Sequence, residues 1–217
     1  SGTKYWSHMN GFYNATATLS DYYAWMFKRA TGFFDVICHS GSGYNTNVKH
    51  NLGVVPELVI SKTRSASGFG SDLDKWYVWS SAVSGSGNNA FGFLNETGTT
   101  TNSFFASSPT STDLYLHGNV AYSGDSLVKY LFATVAGVSK VGSYTGTGSQ
   151  LAIDCGFSSG ARFVLIKRTD TAEDWFVWDS TRGIVAGNDP YLLLNSTAAQ
   201  TTTADLIDPN SSGFEVT

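Results

Sequence analysis

One short stretch occurs twice, and it constrains the fold more than any other feature of the chain. Residues 75–80 read Lys75-Trp76-Tyr77-Val78-Trp79-Ser80, and residues 174–179 read Asp174-Trp175-Phe176-Val177-Trp178-Asp179. Four of the six tryptophans sit in these two copies, so the largest side chains of the chain are repeated together. A sequence that repeats its largest side chains repeats a core, which predicts an internal duplication. Side chains alternate along a strand, so Trp76 and Val78 leave on one face and Tyr77 and Trp79 on the other. All four are large and apolar, and a strand apolar on both faces needs a cover on both. One cover is a sandwich core. The other is the sister repeat or a neighbouring subunit. Trp76, Trp79, Trp175 and Trp178 are therefore read as core or interface residues.

The correspondence extends well beyond the tryptophans. Tyr22 to Phe27 matches Leu127 to Phe132, Thr31 to Gly43 matches Ala136 to Gly148, and Pro56 to Thr63 matches Ala161 to Arg168, each 105 residues on. Later, Gly87-Asn88 matches Gly187-Asn188 and Leu94-Asn95 matches Leu194-Asn195. Short apolar or alternating runs are separated by Gly, Asn, Ser and Thr, and no long stretch carries a 3.6-residue apolar stripe. This pattern predicts an all-β chain of two tandem antiparallel β-sandwich repeats, jelly-roll-like and related by duplication. The expected boundaries are a lead-in at 1–21, a first repeat at 22–121 and a second at 122–217. In the first repeat Phe34, Val36 and Cys38 alternate with Asp35 and His39, which places Cys38 on the inward face as a free buried thiol. Cys155 falls at a non-equivalent place, so the duplication predicts no disulfide between them.

Charged residues make up only 14% of the chain, against roughly 25% in typical soluble domains. The surface is thus polar but nearly uncharged, as in extracellular and virion-surface β-proteins. A net charge of −4 with scattered Lys and Arg argues against a nucleic-acid partner. No apolar run approaches the ~18 residues of a membrane span, so membrane insertion is not expected. Ser1 to Trp6 lacks the features of a signal peptide, so the expectation is either a mature fragment or exit from the cell by another route such as lysis. Asp72 with Asp74, and Glu173 with Asp174, lie in loops before the tryptophan strands. That placement suits solvated turns better than a paired general acid and nucleophile. Ser71-Asp72-Leu73-Asp74 lacks the spacing of a calcium loop. His8, His39, His50 and His117 have no metal-ligand spacing, and no Gly-x-Ser-x-Gly elbow occurs. No catalytic residue, metal or cofactor is assigned. Binding residues concentrate on loops held by a rigid sheet. The loops after the tryptophan strands, Ser80 to Asn89 and Asp179 to Pro190, are therefore the candidate contact surface. In the second, Asp179, Arg182, Asn188 and Asp189 are the candidate ligand contacts. Asn95 and Asn195 are equivalent, which points to a turn role for both.

Three segments carry a family resemblance. His50-Asn51-Leu52-Gly53-Val54-Val55-Pro56-Glu57-Leu58 resembles a His-x-Leu-Gly-Val-x-Pro strand entry of phage structural proteins. Val141 to Gly146 and Val164 to Asp170 resemble segments of the same proteins. Over residues 22–217 the chain is similar to the duplicated β-rich module at the C-terminal ends of tailed-bacteriophage tail fibres and related virion proteins. That module is common in marine phages and often stands beside concanavalin-A-like lectin domains. The resemblance implies a non-catalytic receptor-binding module that attaches to a host cell-surface glycan or protein. It also implies a homotrimer, other virion proteins as partners, and a place on the virion, extracellular after lysis. The alternatives are a purely structural virion component without ligand and, more remotely, a polysaccharide depolymerase. Members of that group usually run past Gly213 to Val216 into a Gly-rich turn and an apolar strand, so the last sheet is expected to show an open edge.

Overall fold

A computed structural model describes residues 24–65, 74–83, 87–99 and 102–217, together with the backbone of two short paired strands, β1 (Lys4–Tyr5) and β2 (Tyr13–Asn14). The remainder of the lead-in, with His8, Tyr22 and Tyr23, and the loop residues Ser71 to Leu73 lie outside the described residues. The next strands are β3 (Phe34–Ser40), β4 (Thr46–Lys49), β5 (Leu58–Ser65), β6 (Trp76–Ser80), β7 (Gly92–Phe93), β8 (Phe105–Ser107) and β9 (Asp113–Leu116). They are followed by β10 (Ser126–Phe132), β11 (Leu151–Asp154), β12 (Phe163–Lys167), β13 (Trp175–Asp179), β14 (Leu192–Leu193), β15 (Ile207–Asn210) and β16 (Gly213–Val216).

The fold is all-β, and every ladder between these strands is antiparallel. In the first unit a sheet ordered β3-β10-β5-β6-β7 accompanies a sheet ordered β4-β9-β8. In the second, β12-β13-β14 accompanies β11-β16-β15. The sheet β12-β13-β14, which matches β5-β6-β7 in sequence, repeats its order, and β11-β16-β15 follows the same chain-order pattern as β4-β9-β8. Pro209, which has no N–H to donate, sits on the edge strand β15, where none is required.

Alternation along the strands sets two faces. Val59, Tyr77, Trp79 and Leu131 point toward the second sheet of their unit and form a core with Phe104, Phe105, Leu114 and Leu116. The corresponding core of the second unit holds Val164, Trp178, Ile207 and Phe214. The opposite faces meet each other. Val78, Phe91 and Trp175 are buried together, with Leu58, Ile60, Leu165 and Leu194 packed around them. The Trp175 indole N–H donates to the carbonyls of Phe93 and Glu96 across this seam, at 2.9 and 3.1 Å. The double-faced apolar strands are therefore covered within one chain, by the sister unit. Trp79 and Trp178 fill the two cores and Trp175 the seam, while Trp76 is half-buried and stacks on Tyr130.

Three expectations need correction. Residues 126–132 do not open the second unit. As β10 they sit between β3 and β5, in the first unit's sheet. The counterpart of β3, Ser139 to Thr145, forms no strand ladder. Gly142 stands there in place of the core residue Ile37, and the segment meets its unit's core through Tyr144, edge-on to Phe214 at 6.4 Å. Finally, Cys38 is exposed, because β3 turns its other face inward. Asp35, Ile37 and His39 point to the core side. Asp35 is tolerated there because Arg29 pairs with it and the N–H groups of Asn51 and Val36 donate to it at 2.8 and 2.9 Å. Both cysteines are free thiols.

Candidate ligand-binding groove

The predicted contact loop is built from the end of β13. Asp179 is buried, and its carboxylate accepts from the N–H groups of Thr181 and Arg182 at 3.0 and 2.9 Å. It also accepts from the Trp25 indole at 3.0 Å and pairs with the Arg182 guanidinium at 2.9 Å. Burial pushes the Asp179 carboxyl up, but these donors and the Arg182 charge outweigh burial and hold it below the usual carboxylate range. Arg182 is only 1% exposed at its side chain, donates to the Val177 carbonyl and stacks over Trp25 at 5.5 Å. Asp189 is fully buried, receives the Val185 N–H at 2.8 Å, and is pushed up chiefly by burial. Asn188 alone of the four is exposed. Asp179, Arg182 and Asp189 thus brace the loop from inside and leave a ligand little to touch.

The paired asparagines act alike. The Asn95 side-chain oxygen accepts the N–H of Trp76 at 3.0 Å, and that of Asn195 accepts the N–H of Trp175 at 2.8 Å. Each asparagine caps the first amide of a tryptophan strand. This is the turn role that their equivalence predicts.

The other loop end, beside β6, is open. A groove of about 530 Å³ is lined by Val55, Pro56, Glu57, Trp79, Ser81, Gly87, Asn88, Ser108 and Pro109. Three separate segments build it, and each is tied down. The Trp79 indole donates to the Gly87 carbonyl at 2.8 Å. The Asn88 carbonyl accepts from the N–H groups of Phe104 and Phe105 at 2.9 and 2.8 Å, and its side chain accepts the Ser108 hydroxyl at 3.4 Å. The Glu57 carbonyl accepts the Ser81 N–H at 2.9 Å, while its carboxylate accepts from Thr134. The volume falls within the 300–1,000 Å³ range of small-ligand sites. The half-exposed Val55 offers apolar contact, while Pro56 and Pro109 are buried; Ser81, Asn88, Ser108 and Glu57 offer hydrogen-bonding groups. None of the lining residues is cationic. Among the described residues no three His, Cys, Asp or Glu side chains gather in a way that would hold a metal, and no helix is long and apolar enough to cross a membrane.

Residues 7–217 match a protein family described as a domain of unknown function (DUF7483). The chain belongs to this family. No curated protein and no solved structure matches it. The family match runs through both units, so groove and seam are parts of one family domain.

Ser81, Gly87 and Asn88 of the groove lie in the loop Ser80 to Asn89 that the sequence singles out. Val55 to Glu57 belong to a strand entry, and Ser108-Pro109 to a connection with no distinguishing pattern. Their convergence depends on the sheet order, which no local signal encodes.

Proposed function

We propose that this chain is a non-catalytic binding module of a bacteriophage virion, and that it holds a neutral host-surface saccharide in the groove beside β6. The groove itself carries the reading: a cleft of ligand size, with the exposed Val55 side chain on its wall and amide, hydroxyl and carboxylate groups converging on it. The valine suits the C–H face of a sugar, and the polar groups suit its hydroxyls. With Glu57 as the only charge among its lining residues, the groove favours neutral over acidic saccharides. Glu57 is also the only carboxylate there, whereas glycoside hydrolysis ordinarily uses two placed roughly 5 to 9.5 Å apart. The seam holds both units in one arrangement, so the groove is preorganised and little ordering cost falls on binding. A single site of this size binds weakly. Display of several copies on a homotrimeric fibre, beside other virion proteins, raises avidity to what attachment needs.

The test is a saccharide array together with adhesion to host cells, using the wild-type chain and Asn88→Ala. Binding to neutral saccharides that falls at least about tenfold in the variant, a loss of about 1.4 kcal/mol, supports the reading. Absence of binding to every saccharide and every host cell would favour a purely structural virion role. Release of reducing ends from a host polysaccharide would point to a depolymerase.

A further inference from the structure

In the first unit β5 is flanked on both sides, by β6 and by β10. Among the described residues, its counterpart β12 is flanked by β13 alone. The Ser180 N–H donates to the Arg162 carbonyl at 2.9 Å, which fixes the phase of the ladder. Val164 and Ile166 therefore turn their backbone groups toward β13, and Phe163, Leu165 and Lys167 turn theirs to the edge. Such a row of backbone donors and acceptors is a template for another strand.

The segment lying beside this edge is Ala24 to Arg29, which carries no ladder of its own. The Phe27 ring meets Phe163 edge-on at 5.5 Å, and the Trp25 ring meets it at 5.9 Å. The Trp25 indole is fixed further by Asp179 and Arg182. The Phe27–Phe163 contact repeats one of the first unit. There Phe132 of β10 lies opposite Leu58 of β5. The same 105 residues separate Phe27 from Phe132 and Leu58 from Phe163. The following turn is also shared: Ala30 bridges Phe34 around Gly32 at φ 81°, as Val135 bridges Ser139 around Gly137 at φ 73°.

We propose that the β12 edge is a strand-accepting interface and that its occupant is the Ala24–Arg29 segment of the same chain, paired antiparallel with Phe27 opposite Phe163 and Trp25 opposite Leu165. The second unit is closed by residues that precede the first, so the two units fold as one body. Release of the segment uncovers an edge able to take an aromatic strand from another chain by β-augmentation.

Amide hydrogen exchange on the intact chain tests this. The amides of Phe163, Leu165 and Lys167 exchange at least about 100-fold more slowly than open amides and lose that protection in Trp25→Ala, whereas Val164 and Ile166 keep theirs. Unprotected exchange at the three in the wild-type chain overturns the proposal. A second measurement places Phe27→Cys with Phe163→Cys in a Cys38→Ser, Cys155→Ser background. Oxidation is expected to give an intramolecular bridge in a monomer. A bridge between two copies assigns the edge to a second copy and overturns the internal closure; no bridge overturns the pairing.

Discussion

Lys129 offers a sharp test of how the first core is built. It lies on β10 with its side chain on the inward face, between Leu127 and Leu131, and it is completely buried. Its ammonium nitrogen donates to the Ser61 hydroxyl at 2.7 Å and lies 5.2 Å from the centre of the Phe104 ring. His39 and Asp35, on the neighbouring β3, share its inward face, and the Lys129 charge acts on His39. Burial lowers the Lys129 pKa from 10.5 to about 7. A shift of that size, at about 1.4 kcal/mol per pH unit, amounts to about 5 kcal/mol between the two protonation states. The sign follows from proton binding. Between pH 7 and 10.5 the unfolded chain holds the proton and the folded chain does not, so stability rises with pH across that window. Below pH 7 both states are charged, and the folded state carries the full penalty. Lys129→Met removes the penalty and leaves Ser61 without its donor, at about 1 kcal/mol. The variant is therefore expected to be more stable than wild type by about 3 kcal/mol at pH 7, with the difference closing toward pH 10.5. Urea unfolding followed by tryptophan fluorescence from pH 6 to 10 measures this, with an unchanged m-value confirming that the denatured state is the same. A Lys129→Met chain that is less stable at pH 7, or a wild-type profile flat from pH 7 to 10, would refute the reasoning.

Other perturbations address the seam, the caps and the loop. Trp175→Ala empties the seam and removes two indole hydrogen bonds, so a loss of about 3–5 kcal/mol is expected in urea unfolding. Asn195→Ala and Asn95→Ala each leave a strand amide uncapped and should cost about 1 kcal/mol, equally in the two units, as read by the shift in melting temperature. Asp179→Ala takes the carboxylate from a buried guanidinium and should cost about 3–5 kcal/mol, without changing saccharide binding at the distant groove. On the acid side, burial and then the Lys129 charge lower the His39 pKa from 6.5 to about 4. Stability should therefore fall as the pH drops from 6.5 toward 4, and His39→Phe should flatten that limb of the profile.

The tryptophan strands were legible because alternation and size together fix both their type and their need for two covers. The strand order was less so. The apolar run at 127–132 reads as a strand in isolation, but nothing local says that it inserts between β3 and β5. Cys38 illustrates a different limit. Alternation shows that Phe34, Val36 and Cys38 share a face, yet the inward face is the one that carries Ile37, and Asp35 is tolerated on it because Arg29, outside the strand, pairs with it. Polar loop residues mislead in a third way. Asp179, Arg182 and Asp189 look like surface contacts, but a turn without regular ladders satisfies its own amides with its own side chains. Only the Ser80 to Asn89 side of the groove was legible, because the groove joins Val55 to Glu57, Trp79, Ser81, Gly87, Asn88, Ser108 and Pro109, which only the folded sheet brings together.

A neutral oligosaccharide titrated into the isotope-labelled chain tests whether the groove beside β6 is the ligand site. Amide shifts are expected to cluster at Glu57, Ser81, Asn88 and Ser108, with the Trp79 indole N–H moving alongside them. Saturable shifts confined to the Asp179 to Pro190 loop or to the seam, with these five signals unmoved, would contradict that assignment.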